Sequence, residues 1–499
     1  MSTGSGTHSS SGPGSGPDPT ATSRLNARVI GICLAAALGG FLFGFDTAVI
    51  NGAVDALADE FSLNAGLKGF AVSSALIGCA VGAWFAGPLA NKLGRVKVML
   101  IAASLFLLSA IGSGLAFGVG DLILWRVIGG LGVGAASVIA PAYIAEVSPA
   151  RVRGRLGSLQ QLAIVTGIFV ALLSDAWLAE SAGGAANTLW LGQEAWRWMF
   201  MAEAVPAIAY GAFALRLPES PRYLVGKGEI ERAAHVLRDF TGVSDVTHKI
   251  EEIERSLKSD KKASLHDLRG KRLGLKPIVW SGILLSVFQQ FVGINVIFYY
   301  STTLWRSVGF TESDALTITV ITSVTNIVVT VVAIMLIDKI GRRLLLLIGS
   351  SGMFVSLGLM AIAFSNATLE TAADGTTSAT LDGAWATVAL VAANAFVVFF
   401  GASWGPVVWV LLGEMFPNRI RASALAVAAA AQWIANFAVS TTFPALSDLG
   451  LTFAYGLYAF FALLSFFFVF SKIPETRGQE LEDMRDDAII KRGKIVEPA

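Results

Sequence analysis

Asp46 sits in GGFLFGFDTAVINGA (Gly39–Ala53), at the end of an apolar run that begins near Val29 and is long enough to cross a bilayer. Arg126 (LILWRVIGG) and Glu203 (WMFMAEAVP) occupy similar apolar settings. An ionisable side chain inside such a run marks function, and its partner has to be named. Beside Arg126, Asp46 stays ionised; drawn apart into apolar surroundings, it takes up a proton instead. A carboxylate that alternates between those settings carries protons. A static ion pair joining helices is the alternative. The four histidines, His8, His235, His248 and His266, all lie outside the apolar runs. A carboxylate is therefore the available proton carrier.

The neutral polar residues in the runs are Gln161, Gln289, Gln290, Asn295, Asn326, Gln432 and Asn436, accompanied by Trp409 and Trp433. Each carboxamide both donates and accepts, as a hydroxyl does. Indole rings cover an apolar C–H face while their N–H bonds a hydroxyl. Carboxamides and indoles without a convergent charge suit a neutral carbohydrate, although such amides also tie neighbouring helices together. Gln432 and Asn436 share a helix face. Gln290 and Asn295 lie about 140° apart around a continuous helix, so facing one site requires a break, for which Gly293 is placed.

The chain that must position these groups is 499 residues long, 54% hydrophobic and 15% charged, with mean hydropathy +0.65 and net charge +1. Twelve apolar runs have spanning length: 27–50, 68–90, 97–118, 121–146, 155–177, 197–217, 275–304, 314–337, 342–365, 384–413, 422–446 and 450–472. That composition describes an all-α membrane protein in a lipid bilayer. The charge balance gives no sign of nucleic acid as a partner. Cys33 and Cys79 lie inside apolar runs and are not expected to form a structural disulfide. Residues 1–26, rich in Gly, Ser and Pro, read as a disordered tail. The absence of a GxxxxGK[ST] phosphate loop argues against ATP drive, and the runs hold no convergent nucleophiles or metal ligands for an enzyme. No cofactor is expected.

Basic residues concentrate between runs 2 and 3 (Lys92, Arg95, Lys97), 4 and 5 (Arg151, Arg153, Arg155), 8 and 9 (Lys339, Arg342, Arg343) and 10 and 11 (Arg419, Arg421). This bias places both termini in the cytoplasm. Asp46, Arg126 and Glu203 then fall at similar depth, Arg126 about 7 Å below the outer end of its run. They are expected to meet near the extracellular side.

Three motifs recur in order. GPLANKLGRVK pairs with IDKIGRRLL, EVSPARVRG with EMFPNRIRA, and PESPR with PETRG. They mark a duplicated six-helix unit, with both copies facing the same way. The expected organisation is 27–217 and 274–473 as the two halves, 218–273 as a cytoplasmic helical linker, and 474–499 as a cytoplasmic tail. The E-x-x-P-x-R-x-R copies (Glu146, Arg151, Arg153; Glu414, Arg419, Arg421), with Arg95, Asp338, Arg342 and Arg343, read as a charge network that latches a cytoplasmic gate.

FGFDTAVING, RVIGGLGVG, PESPR, QQFVGINVIFYY, DKIGRR, WGPVVWVLLGEMFP, AQWIANF and PETRG together resemble the sugar porter family of the major facilitator superfamily, over about Arg28–Met484. The resemblance implies sugar contacts from Gln161, Gln289, Gln290, Asn295, Tyr299, Asn326, Trp409, Gln432 and Trp433, with Phe43 and Gly405 lining the same cavity. One departure is Asn91, where the superfamily commonly has Asp. Asp46 stands where proton symporters have Asp and facilitative carriers have Asn. Ile168 stands where proton–xylose symporters have a second Gln, as in glucose carriers. The expected protein is a monomeric, multi-pass cell-membrane carrier that imports a neutral monosaccharide, glucose foremost, together with a proton by alternating access. The alternatives are a facilitative uniporter, a proton–xylose or proton–galactose symporter and, more remotely, a membrane sugar receptor that transports nothing.

Overall fold

The computed structural model describes residues 27–148, 153–240, 245–259, 265–270, 274–371, 377–381, 383–417, 420–475, 489–491 and 494–496. The amino-terminal segment expected to be disordered lies outside the described residues. Eleven of the twelve apolar runs form helical stretches long and apolar enough to span a membrane. Spans 2 to 5 are Ala65–Leu93, Arg95–Gly114, Val119–Val147 and Arg153–Ala182. Spans 8, 9, 11 and 12 are Glu312–Ile340, Arg342–Ser365, Arg421–Leu449 and Leu451–Lys472.

The other four are interrupted. Span 1 is Ala27–Ala48 continued by Ile50–Glu60, and span 10 is Gly383–Gly401 followed by Trp404–Met415. Span 7 runs through Pro277–Phe291, Ile294–Tyr299 and Ser301–Arg306, and Gly293 at its break has φ +82°. Span 6, the twelfth apolar run, is two short helices, Ala195–Ala202 and Ala204–Ala214. Pro206 accounts for that break: it has no N–H to give to the carbonyl of Ala202 and its ring crowds that carbonyl. The turn is taken at Glu203, so the carboxylate projects from a helix discontinuity.

Within the first half, spans 2 and 4 pack closely, as do spans 1 and 5. Small residues allow it. A Cβ on Gly78 or Gly82 of span 2 would come within 2.1 and 2.3 Å of span 4 carbonyl oxygens. A Cβ on Gly130 or Gly134 of span 4 would meet span 2 carbonyls at 1.9 and 2.2 Å. Two G-x-x-x-G stretches thus cross with their backbones in contact. The halves meet where span 2 packs on span 11 and span 5 on span 8, a symmetric pair of contacts. Outward faces carry Trp84, Phe85, Phe117, Phe460 and Phe467, as a lipid-facing surface requires.

Three linker helices, Pro221–Gly226, Ile230–Asp239 and Val246–Ser259, share a small core of Leu224, Val225, Ala233, Val236, Leu237 and Ile250. Val236 and Phe240 meet Val29, Ile32 and Val147 at the ends of spans 1 and 4. Strand pairs depart from a purely helical chain. Thr368–Thr371 pairs antiparallel with Thr377–Thr380 between spans 9 and 10, and Ile489–Lys491 pairs with Lys494–Val496. Branched side chains favour extended backbone in both.

The crossing of spans 2 and 4 yields a test. Gly130→Leu drives a side chain into the Ala75 carbonyl and should destabilise the protein by at least about 1–3 kcal/mol, the usual range for overpacking. A melting curve in detergent matching wild type would mean that these spans are not in backbone contact.

Candidate functional site

In the first half, the Arg126 guanidinium Nη1 lies 3.0 Å from both Asp46 Oδ1 and the Asp46 main-chain oxygen. The two side chains are 2% and 0% exposed. Glu203 is equally buried and within side-chain hydrogen-bonding reach of Asp46. Asp46 Oδ2 and Glu203 Oε1 have no hydrogen-bond partner among the described residues. Two ionised carboxylates cannot bond each other, whereas one proton held between them satisfies both oxygens. Phe200 covers the guanidinium, its ring centre 5.7 Å from Cζ. The three residues singled out from sequence therefore form one sealed cluster.

In the second half, the break at Gly293 brings Gln290 and Asn295 face to face. Asn295 Nδ2 donates to Gln290 Oε1 at 2.6 Å, Gln290 Nε2 donates to Gln289 Oε1 at 3.5 Å, and Gln289 Nε2 donates to the Trp404 carbonyl at 2.8 Å. The Gly405 carbonyl lies 3.4 Å from the same Gln289 nitrogen. These amides form a relay in which Gln290 and Asn295 each retain a further N–H. Phe43 of span 1 meets Trp433 of span 11 with ring centres 5.8 Å apart, joining the halves beside the relay's helix. Tyr299 lies within side-chain hydrogen-bonding reach of Asn436. Asn326 is buried at Gly401, where span 10 breaks.

Other expected contacts are less engaged. Gln161 is half-buried on span 5, Gln432 Oε1 has no hydrogen-bond partner among the described residues, and Trp409 is 42% exposed. Trp404 was not singled out from sequence, yet it is fully buried. Its indole N–H donates to the Leu346 carbonyl and to Ser350 Oγ, both at 3.1 Å, which fixes the carbonyl that receives Gln289.

At the basic end the repeat is reproduced in geometry. Arg95 pairs doubly with Glu146 at 2.9 and 2.7 Å, and Arg342 pairs doubly with Glu414 at 3.1 and 2.8 Å. Each pair lies within its own half. Glu219 accepts the N–H groups of Arg95 and Val96, and Glu475 those of Arg342 and Arg343. PESPR and PETRG thus supply acids to the first turns of spans 3 and 9, a role that motif repetition alone did not identify. Arg343 turns to span 12, where its Nη2 donates to the Phe470 carbonyl at 2.8 Å. It does not join the Glu414 pair. Arg151 and Arg419 lie outside the described residues. Arg153, Asp338 and Arg421 are helical, with side chains outside the description.

At the acidic end, polar bonds cross between the halves. Asn51 donates to the Phe298 carbonyl at 2.9 Å and accepts from Thr302 Oγ1 at 2.5 Å. Asp55 takes Lys68 at 2.7 Å, Thr303 at 2.7 Å and Arg306 at 3.2 Å. Ser73 and Thr441 hydroxyls lie 2.6 Å apart, and Glu312 accepts from the Ala185 N–H at 2.9 Å. The structure is closed at this end.

A family model described as "Sugar (and other) transporter" matches residues 32–488. The chain is 59% identical over 451 residues to a glucose transport protein of Synechocystis sp., covering 90% of this chain and 95% of that one. It is 39% identical over 492 residues to the D-xylose-proton symporter of Escherichia coli K12, covering 91% and 95%. Among solved structures, the partially occluded inward-open conformation of the xylose transporter XylE from E. coli superposes with TM-score 0.77 at 38% identity, over 91% of this chain and all of that one.

Removing both capping acids tests the repeated basic-end geometry. Glu219→Ala and Glu475→Ala should each lower stability by about 0.5–2 kcal/mol, the usual cost of a lost helix cap. They cap helices of separate halves, so their effects should add in a double variant. Wild-type melting of the double variant would count against the caps.

Proposed function

The chain belongs to the sugar transporter family, and from that membership we propose that it is a proton-coupled monosaccharide symporter with glucose as its substrate. The observation that carries the proposal is the sealed Asp46–Glu203–Arg126 cluster, in which two carboxylate oxygens call for one proton. Without that proton the cluster holds two anions and one cation; with it, the cluster is neutral. A buried net charge costs several kcal/mol, so protonation favours the change of state of the sugar-loaded carrier. Sugar and proton then cross together by alternating access.

The sugar site is the Gln289–Gln290–Asn295 relay together with Asn326, Tyr299, Phe43, Trp433, Gln161, Gln432, Gly405 and Trp409. The spare N–H groups and carbonyls of the relay match sugar hydroxyls. Trp409, exposed here, is available to cover a pyranose C–H face. Ile168 on span 5 supplies a methyl surface where a glutamine would add polar contacts for another sugar, and this supports glucose over xylose. The basic end is cytoplasmic, with both termini, and the paired arginines and acids govern its gate. The carrier acts as a monomer in the cell membrane.

Coupling is tested by Asp46→Asn, which removes the titratable group and keeps its shape. A membrane potential of 100 mV supplies about 2.3 kcal/mol per charge, enough at ~1.4 kcal/mol per decade for a sugar gradient of roughly fortyfold. In reconstituted vesicles the variant should lose uphill glucose accumulation and sugar-driven proton uptake while retaining equilibrative exchange. Continued accumulation by the variant would remove Asp46 from the coupling role. A wild type that never exceeds equilibrium would be a uniporter.

The sugar site is tested by Gln289→Ala. Each lost hydrogen bond to a neutral hydroxyl contributes on the order of 1 kcal/mol, so glucose affinity should fall about fivefold or more. Unchanged affinity measured by calorimetry would refute the relay as the binding site.

A further inference from the structure

Below the carboxylate cluster, span 1 presents an unusual pair, Gly39 and Gly40. Gly39 lies two helical turns from Asp46 on the same face. Span 6 runs antiparallel to span 1, and two turns below Glu203 it carries Tyr210. The two levels match: a Cβ built on Gly39 would fall 2.8 Å from the Tyr210 hydroxyl oxygen. A Cβ on Gly40 would meet the Gln160 carboxamide of span 5 at 2.7 Å. Two turns lower again, Cys33 Sγ lies 3.6 Å from Ser148 Oγ at the basic end of span 4.

Tyr210 is fully buried and Gln160 is 8% exposed. Yet the Tyr210 hydroxyl and both polar atoms of the Gln160 side chain have no hydrogen-bond partner among the described residues. Buried polar atoms without a protein partner are met by water, which needs a polar and roomy setting. The glycine pair lets the span 1 backbone approach both polar groups without a Cβ between them. The charged groups packed around this stretch are Asp46, Glu203 and Arg126 above it and the Arg95–Glu146 pair below. Asp175 on span 5 bonds to Gly52 towards the acidic end. None is paired with Tyr210 or Gln160.

We propose that Tyr210 and Gln160 form a hydrated proton-release path from the Asp46–Glu203 pair to the basic end, running inside the first half and separate from the sugar site. The inference rests on the symport reading and names the route by which its proton leaves. The shared proton passes from Glu203 to a water molecule. The Tyr210 hydroxyl accepts one proton and gives up its own, remaining neutral. Gln160 orients the next water, and one proton reaches the solution beside Ser148. The pair is left ionised, with Arg126 as its counter-charge. With the acidic end closed, the basic end is the exit.

The test uses the full-length protein in vesicles, with radiolabelled glucose and an internal pH dye. Counterflow exchanges labelled for unlabelled sugar and needs no proton release, whereas net uptake does. Tyr210→Phe and Gln160→Leu should each slow sugar-driven proton delivery and net uptake by about tenfold while leaving counterflow near wild type. Net uptake in the variants should also slow more in heavy water than the wild type does, because release becomes limiting. Gln160→Asn, which keeps a carboxamide, should recover part of the rate. Wild-type net uptake in both variants would overturn the path and leave symport intact. An equal loss of counterflow and net uptake would overturn it in favour of a packing role. A wild type that delivers no protons with sugar would overturn symport, and the path with it.

Discussion

The structure depends on a buried cation. Arg126 is 1% exposed in a protein whose surroundings supply neither water nor counter-ions. Leaving it unpaired would cost several kcal/mol, and the same holds for either carboxylate beside it. Three elements are therefore held in register by charge: span 4 bearing Arg126, span 1 bearing Asp46, and span 6 bearing Glu203 at its break. The close approach of these spans is in turn made possible by small residues. A Cβ on Gly129 would fall 2.4 Å from Ser109 Oγ and 3.0 Å from Asp46 Oδ1. Packing and electrostatics thus constrain the same few positions.

The second half has no equivalent buried ion pair among the described residues and meets its polar requirement with amides. Gln289, Gln290 and Asn295 satisfy one another and the Trp404 carbonyl, so the relay is stable without a ligand while retaining unused N–H groups. Division of labour between the halves follows from this chemistry. Among the described residues the buried ion pair is confined to one half, and the relay of neutral amides, whose hydrogen bonding suits hydroxyls, to the other. The two are joined where Phe43 meets Trp433, three residues before Asp46 on the same helix.

Much of this was legible in the sequence, for physical reasons that differ by residue. Asp46, Arg126 and Glu203 stood out because an ion within an apolar run has few ways to be satisfied. The break at Gly293 followed from the angular separation of Gln290 and Asn295. The break at Glu203 was equally available from Pro206, but continuous hydropathy concealed it. Trp404 and Trp409 lie in one motif and their types do not separate them; which one is buried depends on spans 9 and 10 meeting. Glu219 and Glu475 were visible only as repeated letters, because their partners are main-chain N–H groups far away in sequence. Gln160 and Gln161 are adjacent, and only the packing of span 5 on span 1 decides that Gln160 faces Gly40.

The closure at the acidic end is built from contacts that can be undone. Asp55 divides its charge between Lys68 and Arg306, and the Arg306 side chain is 42% exposed. The Arg306 pair, which joins the two halves from an exposed side chain, contributes about 0–1 kcal/mol, far less than the buried cluster below. Asn51 and Asp55 sit on Ile50–Glu60, the segment of span 1 beyond the interruption at Val49. Arg126 bonds the Asp46 main-chain oxygen, the acceptor that the N–H of Ile50 would take in an unbroken helix. The guanidinium therefore grips both the titratable side chain and the main chain at the joint of span 1. Under the proposed symport, a rearrangement of Arg126 on proton binding would act on that joint directly, and through it on the polar closure carried by Asn51 and Asp55.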